Sequence, residues 1–174
     1  MPDIIIKQAR EGDAPVIEGI LLEAVNRLIR TGEPLWDADE VKWDSLSRDY
    51  DISDFYIAYL DGVPAGCMAL TDHDPFFWPE VNKGEALIIH KLAVTDLARK
   101  TGAADALIDF SKAQASARGA ATVRLDTHAL RPRLRAFYER HGFEYIKTIV
   151  YNGDRHTAFY VYTAAQQRNS EITQ

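Results

Sequence analysis

The chain has a single cysteine, Cys67, among 174 residues. One thiol excludes an intrachain disulfide framework and suits a reducing compartment. Its neighbours, Ala65-Gly66-Cys67-Met68-Ala69-Leu70, are small or apolar, so Cys67 reads as a core residue rather than a nucleophile. No apolar run approaches the roughly 20 residues that cross a bilayer, and Met1-Pro2-Asp3-Ile4-Ile5-Ile6-Lys7 lacks a basic region ahead of an apolar stretch. A membrane partner is therefore not expected, and a cytoplasmic location is. Basic residues are scarce in the first part of the chain: residues 1–82 hold 6 Lys/Arg against 17 Asp/Glu. That argues against general nucleic-acid binding, where positive charge dominates a surface. No metal is expected.

Positive charge is concentrated in the middle, where residues 83–147 hold 12 Lys/Arg against 7 Asp/Glu within a chain of net charge −6. A basic centre in an acidic protein suits a compact polyanionic ligand. The length and the 47% hydrophobic content predict one domain over 1–165 and a polar tail over 166–174. Ile4 to Lys7 reads as a strand, followed by a helix with Asp13 as N-cap and an apolar stripe through Val16, Ile17, Ile20, Leu21, Ala24, Val25 and Leu28. A further helix is expected over Asp37 to Tyr50, and a hairpin from Phe55 to Leu70 turning at Asp61-Gly62. Thr71 to Gly84 reads as a loop, Ala86 to Val94 as the most strand-like run, and Ala103 to Arg118 as a helix. Thr122 to Asp126 reads as a strand, Pro132 to His141 as a basic helix stopped by Gly142, and Asn152-Gly153 as a second hairpin turn.

The most specific feature is Leu92-Ala93-Val94, then Arg99-Lys100-Thr101-Gly102-Ala103-Ala104 opening a helix, a pattern of the form R-x-x-G-x-A. Small residues there let backbone N–H groups approach an anion, and the helix start adds unsatisfied donors and a positive dipole end. The stretch lacks the three glycines and the following acidic residue of a dinucleotide fingerprint. A second block follows, Val123-Arg124-Leu125-Asp126-Thr127, then Leu134 to Phe143 with Tyr138-Glu139-Arg140-His141-Gly142-Phe143.

Together the two blocks resemble the GCN5-related N-acetyltransferase (GNAT) superfamily over residues 86 to about 146. The resemblance implies an α/β (α+β) fold with one mixed, mostly antiparallel sheet of six to seven strands and about four helices. It implies acetyl-CoA as acyl donor, with the pantetheine arm along a bulged strand at Leu92, Ala93 and Val94 and the pyrophosphate on Arg99, Lys100, Thr101, Gly102, Ala103 and Ala104. Tyr138 matches the family tyrosine that protonates the departing thiolate. The family often has asparagine seven residues before it. Here that position is Arg131, which with Arg135 could reach a CoA phosphate instead.

An alkyl ammonium must lose a proton before it attacks a thioester. His90 suits that task by its ordinary pKa, and regular alternation would point it to the same face as Leu92 and Val94. Arylalkylamine N-acetyltransferases of the same superfamily carry histidine at the matching place. The glutamate used by histone-type members would fall at Ile88. His128, Glu85 and His73 are weaker candidates, and Asp126 could orient the amine. Trp36, Trp43, Phe76, Phe77 and Trp78 lie in the parts free to vary and are candidates for an acceptor pocket. The resulting expectation is an N-acetyltransferase acting on a small primary amine by direct attack, with a homodimer as a possible assembly. A non-catalytic acyl-CoA-binding module and a protein or peptide N-acetyltransferase are the alternatives.

Overall fold

Strand β1, Ile4–Gln8, opens the chain, and Ala9 closes it by donating to the Phe55 carbonyl. Helix α1, Ala14–Arg30, follows in a computed structural model that describes residues 2–164. The expected tail lies outside those residues. The stripe read from the sequence is the buried face: Ile17, Ile20, Leu21, Ala24 and Val25 are all covered. Each contributes about 1.5–3 kcal/mol when fully buried, Ala24 less. Asp13 stands at the N-cap, but its carboxylate accepts the Arg10 N–H rather than a helix N–H.

The helix expected over 37–50 is broken up. A 3-10 turn at Asp39–Val41 is separated by extended Lys42 from the four-residue α2, Trp43–Leu46, and a second 3-10 turn spans Ile52–Asp54. Val41, Leu46 and Tyr50 are spaced too irregularly to form one helical face, and local carboxylates compete for the backbone. The Glu18 carboxylate accepts the Trp43 N–H, and Asp51 and Asp54 cap the second turn reciprocally.

Strands β2, Phe55–Leu60, and β3, Val63–Thr71, form the expected hairpin. Asp61 and Gly62 both have positive φ, as a two-residue turn of this type demands. Then come β4, Ala86–Val94; α3, Ala103–Arg118; β5, Thr122–His128; α4, Pro132–Arg140; β6, Glu144–Tyr151; and β7, Arg155–Thr163. Strand β7 starts directly after the Asn152-Gly153 turn, where Arg155 and His156 pair with Tyr151 and Val150. The sheet order is β1-β2-β3-β4-β5-β7-β6. β4 and β5 are parallel, while the β1/β2, β2/β3, β5/β7 and β6/β7 pairs are antiparallel. This seven-stranded mixed sheet with four helices is the GNAT architecture expected above.

By internal contacts the chain forms two compact units, residues up to Leu70 with His90–Phe110, and Thr71–Ile89 with Ser111 onward. The first has its core between α1 and β2/β3, where Phe55, Ile57, Cys67 and Ala69 meet the α1 stripe. In the second, Trp78, Val81, Ala86, Ile88 and Phe159 form a core, and Tyr138, Phe143, Tyr160 and Tyr162 form a chain of ring contacts. No helix among the described residues is long and apolar enough to cross a membrane.

Candidate functional site

In the first unit, β4 departs from regular strand geometry at one residue. Lys91 has φ +53°, a left-handed value that a side chain rarely adopts within a strand. The irregularity lies immediately before Leu92-Ala93-Val94, where the family resemblance implied a bulge. It also reverses one sequence-based expectation. Val94 packs with Ala65, Ala98 and Ala103, whereas Ala93 belongs to the α1 core. His90 meets Tyr50, which packs on that same α1 core, with ring centroids 5.4 Å apart. His90 therefore does not share the Val94 face: the left-handed residue between them breaks the regular alternation of side chains along the strand. Lys91 also leans toward the α1 side, its ammonium 5.0 Å from the centre of the Trp36 ring.

After β4 the chain is clamped before it reaches the glycine motif. Thr95 donates to the Ala65 carbonyl at 2.8 Å, and the Asp96 N–H donates to Glu23 at 2.7 Å. Arg27 spans both ends of this corner, donating to the Asp96 carboxylate at 2.7 Å and to the Val94 carbonyl at 3.1 Å. Hydrogen bonding from Arg27 holds the Asp96 carboxyl below its ordinary pKa. Sequence reasoning missed Arg27, Glu23 and Asp96. The one available signal was a pair of arginines, Arg27 and Arg30, in the last turn of an otherwise apolar-striped helix.

The glycine motif then turns as an anion cradle should. Lys100 has φ +62° and Gly102 φ +93°, with Thr101 between them donating its N–H to the Ala98 carbonyl. Consecutive residues around left-handed positions turn their N–H groups into a concavity. Ala106 donates to the Gly102 carbonyl at 2.9 Å, so the N–H groups of Ala103 and Ala104 lie in the helix's first turn, ahead of that bond. A Cβ at Gly102 would meet only Ile4 Cδ1, at 3.9 Å, so backbone angle and not crowding requires glycine there. Positive backbone angles, small side chains and a 16-residue helix behind them fit a CoA pyrophosphate.

In the second unit, Tyr138 is buried on α4 among Phe137, Phe143 and Tyr160. Burial, with the Asp126 charge adding to it, raises its phenol well above the usual pKa. Burial, then the charges of Asp126 and Asp74, push the Tyr151 phenol the same way. His128 is held below its ordinary pKa by burial first and then by Arg131, His156 and Arg155. Its Nδ1 accepts the Leu130 N–H at 3.2 Å, which puts the proton of the neutral ring on Nε2 and makes His128 a hydrogen-bond donor rather than a base. Arg131 is the N-cap residue of α4. Arg135 donates to the Tyr160 hydroxyl at 2.8 Å and the Ala129 carbonyl at 3.3 Å, and stacks on Tyr145, bracing α4 against β5, β6 and β7.

The aromatic loop is only partly a surface feature. Trp78 is 1% exposed and packs edge-on against Phe159, with Arg124 over its ring, so it is core and not a substrate contact. Phe77 leans on the same cluster. Phe76 remains 66% exposed, and the Asp74 carboxylate fixes both by accepting their N–H groups. Among the described residues no group of His, Cys, Asp and Glu could hold a metal.

The sequence matches the Acetyltransferase (GNAT) family over residues 22–143. No curated protein matches it. Its fold is similar to that of a GNAT-family acetyltransferase from Listeria monocytogenes, 17% identical over 92% of this chain and 94% of that one, with a TM-score of 0.70. It is also similar to the ribosomal-protein-S18-alanine N-acetyltransferase of Escherichia coli, 16% identical over 93% and 94%, TM-score 0.68. A third likeness is to N-acetylglutamate synthase from Neisseria gonorrhoeae, solved with coenzyme A and N-acetyl-glutamate, 20% identical with a TM-score of 0.67. That match covers 93% of this chain but only 35% of the synthase. With the two motifs, the strand irregularity ahead of the glycine cradle and a family match across most of its length, the chain belongs to the GNAT family of acyl-CoA-dependent N-acetyltransferases.

Proposed function

We propose that this protein transfers an acetyl group from acetyl-CoA to a primary amine of a small molecule by direct attack, and that residues 1–165 act as one acetyltransferase domain. The observation that carries the reading is β4 itself, where His90, resting on Tyr50, directly precedes the left-handed Lys91 and the Leu92-Ala93-Val94 segment. Acetyl-CoA supplies an activated thioester. The cradle from Arg99 to Ala104 holds its pyrophosphate, and backbone N–H groups from Leu92 to Val94 stabilise charge developing on the acetyl oxygen. His90 takes the proton from the ammonium. The freed nitrogen lone pair bonds the carbonyl carbon, the carbon–sulfur bond breaks with its electron pair going to sulfur, Tyr138 gives its phenol proton to that sulfur, and the newly acylated nitrogen releases its second proton to solvent. Tyr138 recovers a proton from solvent. We place the work in the cytoplasm, and propose a homodimer in which Tyr145, Ile146 and Val150, exposed on β6 at one end of the sheet order, are covered.

The test is release of free CoA from acetyl-CoA with a panel of small amines and a set of peptides bearing free N-termini or lysine. Turnover with amines, reduced in His90→Ala with the acid limb of the pH–rate profile displaced, supports the proposal. Turnover with peptides alone moves the acceptor to the protein class. CoA binding with no turnover on any acceptor makes the protein a binding module.

A further inference from the structure

A groove of about 240 Å³ opens beside the start of α1, lined by Glu11, Gly12, Trp43, Ser47, Tyr50 and Asp51 among others. Its chemistry is one-sided. Two carboxylates and two aromatic rings face a single space, and no lysine or arginine contributes to the wall. Glu11 is exposed and forms no ion pair among the described residues, while Asp51 spends one acceptor on the Asp54 N–H. Trp43 and Tyr50 are each fixed by edge contacts to Phe55, at 5.9 and 5.5 Å, so the walls are set before any ligand arrives. Carboxylates with rigid aromatic rings are the set that recognises an organic cation.

Tyr50 belongs both to this groove and to the His90 contact. The nitrogen that attacks a thioester must be neutral, and carboxylates beside it would hold it protonated. A carboxylate groove next to the base is therefore unsuited to the reacting nitrogen and suited to a second one that stays protonated. Resting on the proposed amine acetylation, we infer that the groove holds the non-reacting ammonium of a diamine-type acceptor, whose other nitrogen is presented toward His90. The excess of 17 acidic over 6 basic residues in the first 82 positions favours the approach of such a dication.

Acetyl transfer to cadaverine, pentylamine and 5-aminopentanoate, three five-carbon acceptors that differ only in the charge at the far end, tests this. The expected kcat/KM is about tenfold higher for cadaverine than for pentylamine, with 5-aminopentanoate lowest, and Glu11→Lys is expected to narrow the cadaverine preference by about fivefold. Equal kcat/KM for the three acceptors, or a preference unchanged in Glu11→Lys, overturns the assignment. If no amine is acetylated at all, the proposed function falls. The groove is then judged alone by amide NMR shifts at residues 11–14 and 43–52 on adding cadaverine. Shifts there that Glu11→Lys abolishes uphold a cation site, and their absence in the parent protein refutes it.

Discussion

Tyr138 shows how one residue's surroundings set its chemistry. Burial, with the Asp126 charge behind it, raises the phenol above its usual pKa, so the proton stays in place across the neutral range. Because the shift is upward, donation by Tyr138 is complete below the ordinary tyrosine pKa of about 10 and is lost only as pH rises beyond it. Steady-state kinetics should accordingly show no descending alkaline limb from this group below about pH 10. Under the proposed mechanism, in which the hydroxyl protonates the leaving sulfur, Tyr138→Phe should lower kcat by about a hundredfold while leaving the acetyl-CoA dissociation constant within about twofold. A parallel loss in both would assign the ring to cofactor binding instead. His128 illustrates the opposite case. Burial, then its arginine and histidine neighbours, hold its pKa down, so its imidazole should titrate below its ordinary value by NMR and stay neutral at pH 7.

Among elements, the turn into α3 was legible from residue types because its geometry is a backbone requirement: a positive φ at position 102 selects glycine, and the proposed close approach to an anion would select alanine after it. Gly102→Val should raise the acetyl-CoA KM at least tenfold and cost about 1–2 kcal/mol of stability by denaturant melting, since a β-branched residue is strained at φ +93°. The corner before it was not legible, because Arg27, Glu23 and Asp96 are joined by hydrogen bonds between residues some 70 positions apart. Arg27→Ala should raise the acetyl-CoA KM about threefold to tenfold with little change in kcat, by releasing the Val94 carbonyl and the Asp96 side chain together. The face of His90 was misread for a different reason. A period-two argument presumes an unbroken strand, and the sequence Ile89-His90-Lys91-Leu92 carries no glycine to warn of the left-handed residue within it. The segment 37–50 misled similarly, its scattered apolar residues being anchors for short turns rather than one face of a helix.

At the scale of the whole molecule, composition pointed to one domain with a basic centre but not to the distribution of tasks. The acidic first part of the chain carries both the α1 clamp on the cradle and the groove at Glu11 and Asp51. Electrostatic attraction acts over the Debye length, so raising ionic strength should weaken a cationic acceptor's apparent affinity more than a neutral one's. One further feature matters for whoever measures these rates. Cys67 is the chain's only cysteine; it is completely buried, and burial pushes its thiol far above the usual pKa. The folded protein should therefore be silent toward thiol-reactive dyes and give one equivalent per chain only after denaturation. A colorimetric assay that counts free sulfhydryls would then read liberated coenzyme alone, with no background from the catalyst, and slow growth of a protein signal during storage would report unfolding before any loss of activity was noticed.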